Sequence, residues 1–381
     1  MKLMMIQGGF GAGGAEKIMA QVATHRHGKG DQVNVVGMHM PDGGSFFPYP
    51  DGIPLTVLAG HVPRNRLLHA RRLYAIRRHI RHTRPDMILS FLTKINCLTL
   101  MAVRGTGIPV AISERNNARV QSRFWANLQN SLARRAAAVV MQTQGGRDML
   151  PPDLRDRALI VPNVCSAVQF RRLPPVPGLC RFIAVGRLDA QKGFDILIRA
   201  FAALPAFPAT RLTIYGEGPE RAALERQVRE AGLTDRIRLP GLVTTPRGWL
   251  EAGDVLVVSS RFEGFSNVVA EAASSGLPIV SFDCPFGPRE MIREGLNGLL
   301  VPPADEAALT RAMARLALNP DLRDRLSRHP HLIAQHLHPD RVMRLWDAVI
   351  EEAMATAAQR AGDHRPRAAV QSRPAASRPS K

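Results

Sequence analysis

Leu3-Met4-Met5-Ile6-Gln7-Gly8-Gly9-Phe10-Gly11-Ala12-Gly13-Gly14-Ala15-Glu16 reads as an apolar run, a glycine-rich turn and the start of a helical pattern reaching about Thr24. Strand, turn and helix in that order open a doubly wound α/β unit. Glycines let the backbone approach a ligand closely, and a helix N-terminus offers unpaired N–H groups to an anion. Gly9-Phe10-Gly11-Ala12-Gly13-Gly14 also fits G-x-G-x-x-G by letter, with Asp31 further along near the next apolar run. A dinucleotide site, a diphosphate or acceptor contact, and a plain tight turn are all compatible with it.

Outward from this stretch the alternation continues. Val33–Gly37, Met87–Phe91, Val110–Ser113, Ala138–Gln142 and Ala158–Val161 read as strands. A second series follows at Arg181–Val185, Arg211–Tyr215, Ile237–Leu239, Val255–Ser259, Ile279–Phe282 and Leu299–Val301, with helices at Phe194–Ala203, Glu220–Ala231 and Asn267–Ser274. Two such runs predict two Rossmann-like, doubly wound parallel-sheet domains. Leu173-Pro174-Pro175-Val176-Pro177-Gly178 is too broken for a helix or central strand and marks the seam. The expected division is a first domain over 1–172, a second over 178–335, a terminal helix over 336–358 and a disordered basic tail over 359–381. Trp346 is the expected anchor of that helix.

The chain has 381 residues, 45% hydrophobic, which is enough apolar content to exclude disorder throughout. Its formal charge is +19, unevenly spread. Residues 1–175 hold 24 Lys+Arg against 9 Asp+Glu, and residues 360–381 hold 6 against 1, so the intervening stretch is close to neutral. Only six of the 51 cations are lysine, which points to an arginine-biased composition. His61 to Arg84 stands apart. It carries Arg64, Arg66, Arg71, Arg72, Arg77, Arg78, Arg81 and Arg84 with no acid, while Leu73, Ile76 and Ile80 recur at helical spacing. A basic amphipathic helix of this kind fits an anionic membrane surface or a solvated face. Met87 to Val103 is interrupted by Lys94 and Asn96 and is shorter than the ~20 residues of a span. Met1-Lys2-Leu3-Met4-Met5-Ile6 is too short for a signal peptide. Cys97, Cys165, Cys180 and Cys284 are isolated and read as buried thiols of a cytoplasmic protein, peripheral at most on the inner membrane face.

The second half carries the denser chemistry. Gly186-Arg187-Leu188-Asp189-Ala190-Gln191-Lys192-Gly193 follows its first strand. Arg forks onto phosphate oxygens and Lys adds a point charge, at the sheet edge where such folds bind ligands. Glu263-Gly264-Phe265-Ser266-Asn267-Val268-Val269-Ala270-Glu271 follows an apolar strand and Ser259-Ser260. Gly264 to Asn267 can present backbone N–H groups at a helix start, flanked by two carboxylates able to accept from sugar hydroxyls. Pro285-Phe286-Gly287-Pro288-Arg289-Glu290 adds an Arg and a carboxylate at the same edge. No metal-ligand spacing occurs.

These pieces resemble the retaining glycosyltransferases of sequence family four, with the two-Rossmann architecture called GT-B. The carriers are Gly13-Gly14-Ala15-Glu16, Gly186-Arg187 through Lys192-Gly193, Gly216-Glu217-Gly218-Pro219, the Glu263-x7-Glu271 pair, Gly276-Leu277-Pro278-Ile279-Val280 and Asn297-Gly298-Leu299-Leu300-Val301. The resemblance implies that Arg187 and Lys192 hold a donor diphosphate, that Glu271 binds the ribose and that Glu263 contacts the transferred sugar. Phe265, Ser266 and Asn267 would cradle phosphates, with Gly13 and Gly14 across the cleft. It implies a nucleotide-sugar donor, UDP-linked in preference to GDP-linked, and a lipid-linked or oligosaccharide acceptor. No metal or other cofactor is implied. Relatives often carry a His on the first-half loop. Here Ser113-Glu114-Arg115-Asn116-Asn117 stands there, as in relatives that build bacterial surface polysaccharides or lipid-linked glycans, so Glu114 or Arg115 would orient the acceptor, or Glu114 would be structural.

Two other classes compete. The basic first half would suit a polyanion or nucleic-acid binder, but aromatics are 5% and no nucleic-acid module is present. A nicotinamide-dependent oxidoreductase would use the first glycine turn and leave the second half's glutamates unexplained.

Overall fold

The computed structural model describes residues 1–363 except 59–67, 116–121, 172, 173, 175, 206–208 and 244. Arg64 and Arg66 of the basic segment, Asn116 and Asn117, part of the Pro-rich seam and the tail from 364 therefore lie outside the described residues.

The first sheet contains β1 (Lys2–Gln7), β2 (Gln32–Gly37), β3 (Leu55–Val57), β4 (Met87–Phe91), β5 (Val110–Ser113), β6 (Ala138–Met141) and β7 (Ala158–Ile160). The second contains β8 (Leu179–Val185), β9 (Ala209–Tyr215), β10 (Ile237–Gly241), β11 (Val255–Val258), β12 (Ile279–Phe282) and β13 (Gly298–Val301). The spatial orders are β3-β2-β1-β4-β5-β6-β7 and β10-β9-β8-β11-β12-β13, with parallel pairing throughout, for example Leu3 opposite Val33 and Met87. Central strands such as β4 and β11 are buried along their whole length because helices cover both faces. The expected two Rossmann-like domains are thus present. Only β3, three residues at an edge, has no counterpart among the strands read from the sequence; Leu55-Thr56-Val57 is shorter than the roughly 4–8 residues over which alternation is read.

In each sheet the strand order reverses beside the first strand, β1 or β8. Ligands bind at that switch point, outside the strands' carboxyl ends. The two switch points face each other.

The Leu68–Thr83 helix carries the basic stripe. Ile76 and Ile80 are buried, while Arg71, Arg78 and Arg81 point outward beside the exposed Tyr74. Among the described residues no helix is long and apolar enough to cross a membrane. The four cysteines are free and buried.

The last helix, Pro339–Asp363, leaves the second domain and packs on the first. Trp346 is fully buried there and stacks on Phe91 of β4 with ring centroids 5.5 Å apart. Asp347 receives His25 and Arg26 from the Gly14–Gly28 helix and Lys29 just past its end. Burial alone would raise its carboxyl, but the hydrogen bonds from Lys29, His25 and Arg26 outweigh it and hold the group at about 2.

Candidate functional site

A cleft of about 750 Å³ lies between the two switch points. The first domain lines it with Gly13, Gly14, Glu16, Leu92, Arg115, Gln142 and Asn163, the second with Arg187, Lys192 and the Glu263–Val268 segment. Of the residues singled out from sequence, Gly13, Gly14, Arg115, Arg187, Lys192, Glu263, Gly264, Phe265, Ser266 and Asn267 are brought together here.

On the second-domain wall, β8 ends at Val185 and the chain turns through Gly186 into a single turn of 3-10 helix, Ala190–Lys192. The Asp189 carboxylate caps that turn and also receives Arg187 at 2.5 Å. Arg187 is 71% exposed, so its guanidinium stands at the cleft mouth. The Ser259 hydroxyl donates to the Lys192 carbonyl and ties the turn to β11. Lys192 Nζ then reaches Glu263 Oε1 at 2.7 Å, and the Ser260 hydroxyl donates to the same oxygen at 2.6 Å. Glu263 is buried, and a buried carboxylate needs such partners to stay charged. Beyond it Ser266, with φ of 66°, enters the Asn267–Ser275 helix in a left-handed conformation. The helix start, Ser266 to Val268, lines the cleft, and the unpaired N–H groups of a helix start favour an anion. The Ser266 hydroxyl is buried without a hydrogen-bond partner.

On the first-domain wall, Gly14 makes a close approach to the other domain. A Cβ there would lie 3.1 Å from Asn267 Nδ2. Arg115 lies deeper. Its Nε donates to Ser113 Oγ at 3.1 Å and its Nη1 to Asn163 Oδ1 at 2.5 Å. The guanidinium sits over both the Phe91 and Trp346 rings, 5.1 Å from each. Its Nη2 is buried without a partner. Burial brings its pKa down to about 9, with Glu114 opposing the shift. Asn163 completes a bridge between walls by donating to Asn267 Oδ1 at 2.8 Å.

Three sequence-predicted residues stand elsewhere. Glu114 does not line the cleft; it turns into the first domain, accepting from Thr93 Oγ1 and the Arg115 N–H. Adjacent residues at a strand's end point to opposite sides, and here Arg115 takes the cleft side. Arg289 is 72% exposed and paired with Asp283, away from the cleft. Glu271 lies one turn along the helix in a smaller adjoining cavity with Lys17, Gln21, Asn163 and Cys165. Burial pushes its carboxyl up to about 7, with Lys17 pulling the other way. The two glutamates of the pair therefore serve different pockets.

The dinucleotide reading of the first turn is overturned by Asp31. A ribose-binding acid belongs at the carboxyl edge. Asp31 instead precedes β2 at the opposite edge, held by the Met1 amino group and Arg26. Asn163, Gln142 and Leu92 were not anticipated. Leu92 has a φ of 77° at the end of β4, and Asn163, in Pro162-Asn163-Val164, has no signature by itself. Among the described residues no cluster of three or more His, Cys, Asp or Glu could hold a metal ion.

Residues 13–164 match the family "Glycosyl transferase 4-like domain" and residues 180–319 match "Glycosyl transferases group 1". A lipopolysaccharide core biosynthesis glycosyltransferase of Rhizobium meliloti, LpsD, is 35% identical over 169 residues, 42% of this chain and 48% of that one. The chain spans about half or less of the length of the curated relatives it matches. Sucrose-phosphate synthase from Thermosynechococcus elongatus superposes with a TM-score of 0.80 at 18% identity, covering 93% of this chain and 99% of that one. Anabaena HepE, solved with UDP and glucose, superposes at 0.75 with 18% identity, covering 92% and 99%. The chain therefore joins a glycosyltransferase 4-like domain to a glycosyl transferases group 1 domain in a GT-B fold.

Proposed function

We propose that this protein is a retaining glycosyltransferase that moves a hexose or N-acetylhexosamine from a UDP-sugar to a lipid-linked or oligosaccharide acceptor in bacterial polysaccharide assembly. The observation that carries the reading is the Lys192–Glu263 pair beside the Phe265–Asn267 helix start, in a cleft between two parallel sheets. Relatives named for lipopolysaccharide core assembly and a fold neighbour solved with UDP and glucose support the substrate classes.

In this reading the donor diphosphate lies against Arg187, Lys192 and the helix N-terminus. The bond from the sugar's anomeric carbon to the diphosphate oxygen breaks, and its electron pair stays on that oxygen. Lys192, Arg187 and the backbone N–H groups stabilise the charge that develops. The acceptor hydroxyl attacks from the same face, which retains configuration, and its proton passes to the departing phosphate oxygen. Glu263 holds the sugar, and Glu271, one turn along the same helix, meets the ribose. No metal is required, because cations and helix N–H groups do the electrostatic work. The acceptor enters beside Arg115. The outward arginines of Leu68–Thr83 then rest on an anionic membrane at the cytoplasmic face.

The test is a panel of UDP- and GDP-sugars with a polyprenyl-diphosphate-linked glycan, read as released nucleotide and as anomeric configuration of the product. Turnover with a UDP-sugar and a retained anomer is expected. A folded protein that binds no nucleotide sugar would refute the reading.

A further inference from the structure

A contact across the cleft lies outside the donor site. Glu290 of the second domain aims both carboxylate oxygens at the first. Oε2 accepts from the Gln144 N–H and Oε1 from the Gly145 N–H, both at 2.9 Å. These amides begin the short Gln144–Asp148 helix, so they have no intrahelical acceptor. Phe286, at a φ of 69°, packs its ring on Gly145, where a Cβ would lie 2.7 Å from Phe286 Cδ1. The next residue, Gly287, has a φ of 89° and lies against the cradle itself. A Cβ there would come within 2.6 Å of the Phe265 carbonyl oxygen. The positive φ is free for Gly287 but costly for Phe286, so the neighbouring structure must enforce it there. The first-domain turn they dock also carries Gln142, which lines the cleft.

We propose that Glu290 is a positioning residue: it clamps the 142–145 turn of the first domain onto the 286–287 strap that supports Phe265, and so sets the closed geometry in which transfer occurs. The chain passes between the domains after β7 and again before Pro339, and Glu290 joins them at a further place. The kinetic part rests on the transferase reading; the closure part does not.

The test labels Ser131→Cys and Ala222→Cys, exposed positions on the two domains, with spin probes, since the native thiols are buried. The wild-type background should give one narrow interdomain distance, and Glu290→Ala a broad or longer distribution. UDP affinity should stay within about twofold while kcat falls about tenfold, with Glu290→Gln recovering part of it through its remaining carbonyl oxygen. Gly145→Ala, which pushes the Phe286 ring, should broaden the distances likewise and serves if Glu290→Ala does not fold. Unchanged distances in folded variants would overturn the proposal. Broadened distances in a protein that turns over no sugar donor would leave the clamp standing and remove the transferase reading instead.

Discussion

On the second-domain wall of the cleft Lys192 and Glu263 meet at 2.7 Å, so charge is balanced before any ligand arrives. On the first-domain wall Arg115 is a buried cation whose guanidinium hydrogen-bonds to neutral Ser113 and Asn163, with Glu114 the nearby acid and Nη2 without a partner. It is held by the Phe91 and Trp346 rings, and Trp346 comes from a helix that follows the whole second domain. One wall is assembled from local sequence and paired ions. The other depends on aromatic packing by a distant segment. That difference predicts which perturbations act on chemistry and which on folding.

The largest effect belongs to the packed wall. Trp346→Ala removes a fully buried ring from the first-domain core and should cost about 3–5 kcal/mol of stability. Thermal unfolding reads this as a large drop in Tm, together with lost activity because Arg115 is no longer held. On the ionic wall, Lys192→Ala takes a partner from the buried Glu263, so Tm should fall, though less than for Trp346→Ala because Ser260 still donates to the same oxygen, and turnover should fall ~10- to 100-fold, the usual cost of losing a charged hydrogen bond. Glu263→Gln should do the same, and the double variant should be less than additive because the two groups share one contact. Equal losses of Tm and kcat for all three variants would erase the distinction between the walls.

Arg115→Met sharpens it further. The substitution keeps an apolar stem beside the stacked Phe91 and Trp346 rings and removes an incompletely paired buried charge, a change that is often neutral or stabilising. Tm should stay level or rise, while transfer to acceptor falls about tenfold. UDP binding, assigned to the other wall, should not change.

Glu271 sits between these cases, half-buried and facing Lys17 across the domain interface. Its carboxyl is raised to about 7, so the folded state binds the proton more tightly than the unfolded chain does. Stability from this group is full below the unfolded value and is lost as pH rises through about 7. Glu271→Gln should therefore raise Tm relative to wild type at pH 8 and leave it unchanged near pH 4. Through the ribose contact the same variant should weaken UDP binding by about tenfold, read by titration calorimetry.

Much of the second wall was legible because its signals are local. A strand, a glycine turn and a helix start fix where Lys192 and Phe265–Asn267 must lie, and only the sheet edge is needed to join them. The first wall was legible in outline alone. Ser113-Glu114-Arg115 shows that something polar ends β5, but which of two neighbours faces the cleft is decided by packing. Thr93 takes Glu114 inward, and the Phe91–Trp346 pair takes Arg115 toward the cleft. Asn163 stayed hidden because its role exists only once Arg115, Gln142 and Asn267 converge on it. Glu271 was found by spacing, yet helical spacing alone does not say which pocket the second carboxylate enters.

The smallest expected effect tests the border of the site. Arg289 shares its loop with Phe286 and Glu290, and its charge made it a donor ligand by sequence. In the structure it is 72% exposed and its guanidinium is spent on Asp283 of the same loop. An exposed ion pair of this kind contributes about 0–1 kcal/mol, so Arg289→Ala should move Tm little. Because the side chain lines neither wall, kcat and UDP affinity should both stay within about twofold. Assays of released nucleotide beside UDP titration check this directly. A tenfold loss of UDP affinity would mean that Arg289 abandons Asp283 for the diphosphate when the donor binds, and the ionic wall would then extend one loop beyond Lys192 and Glu263.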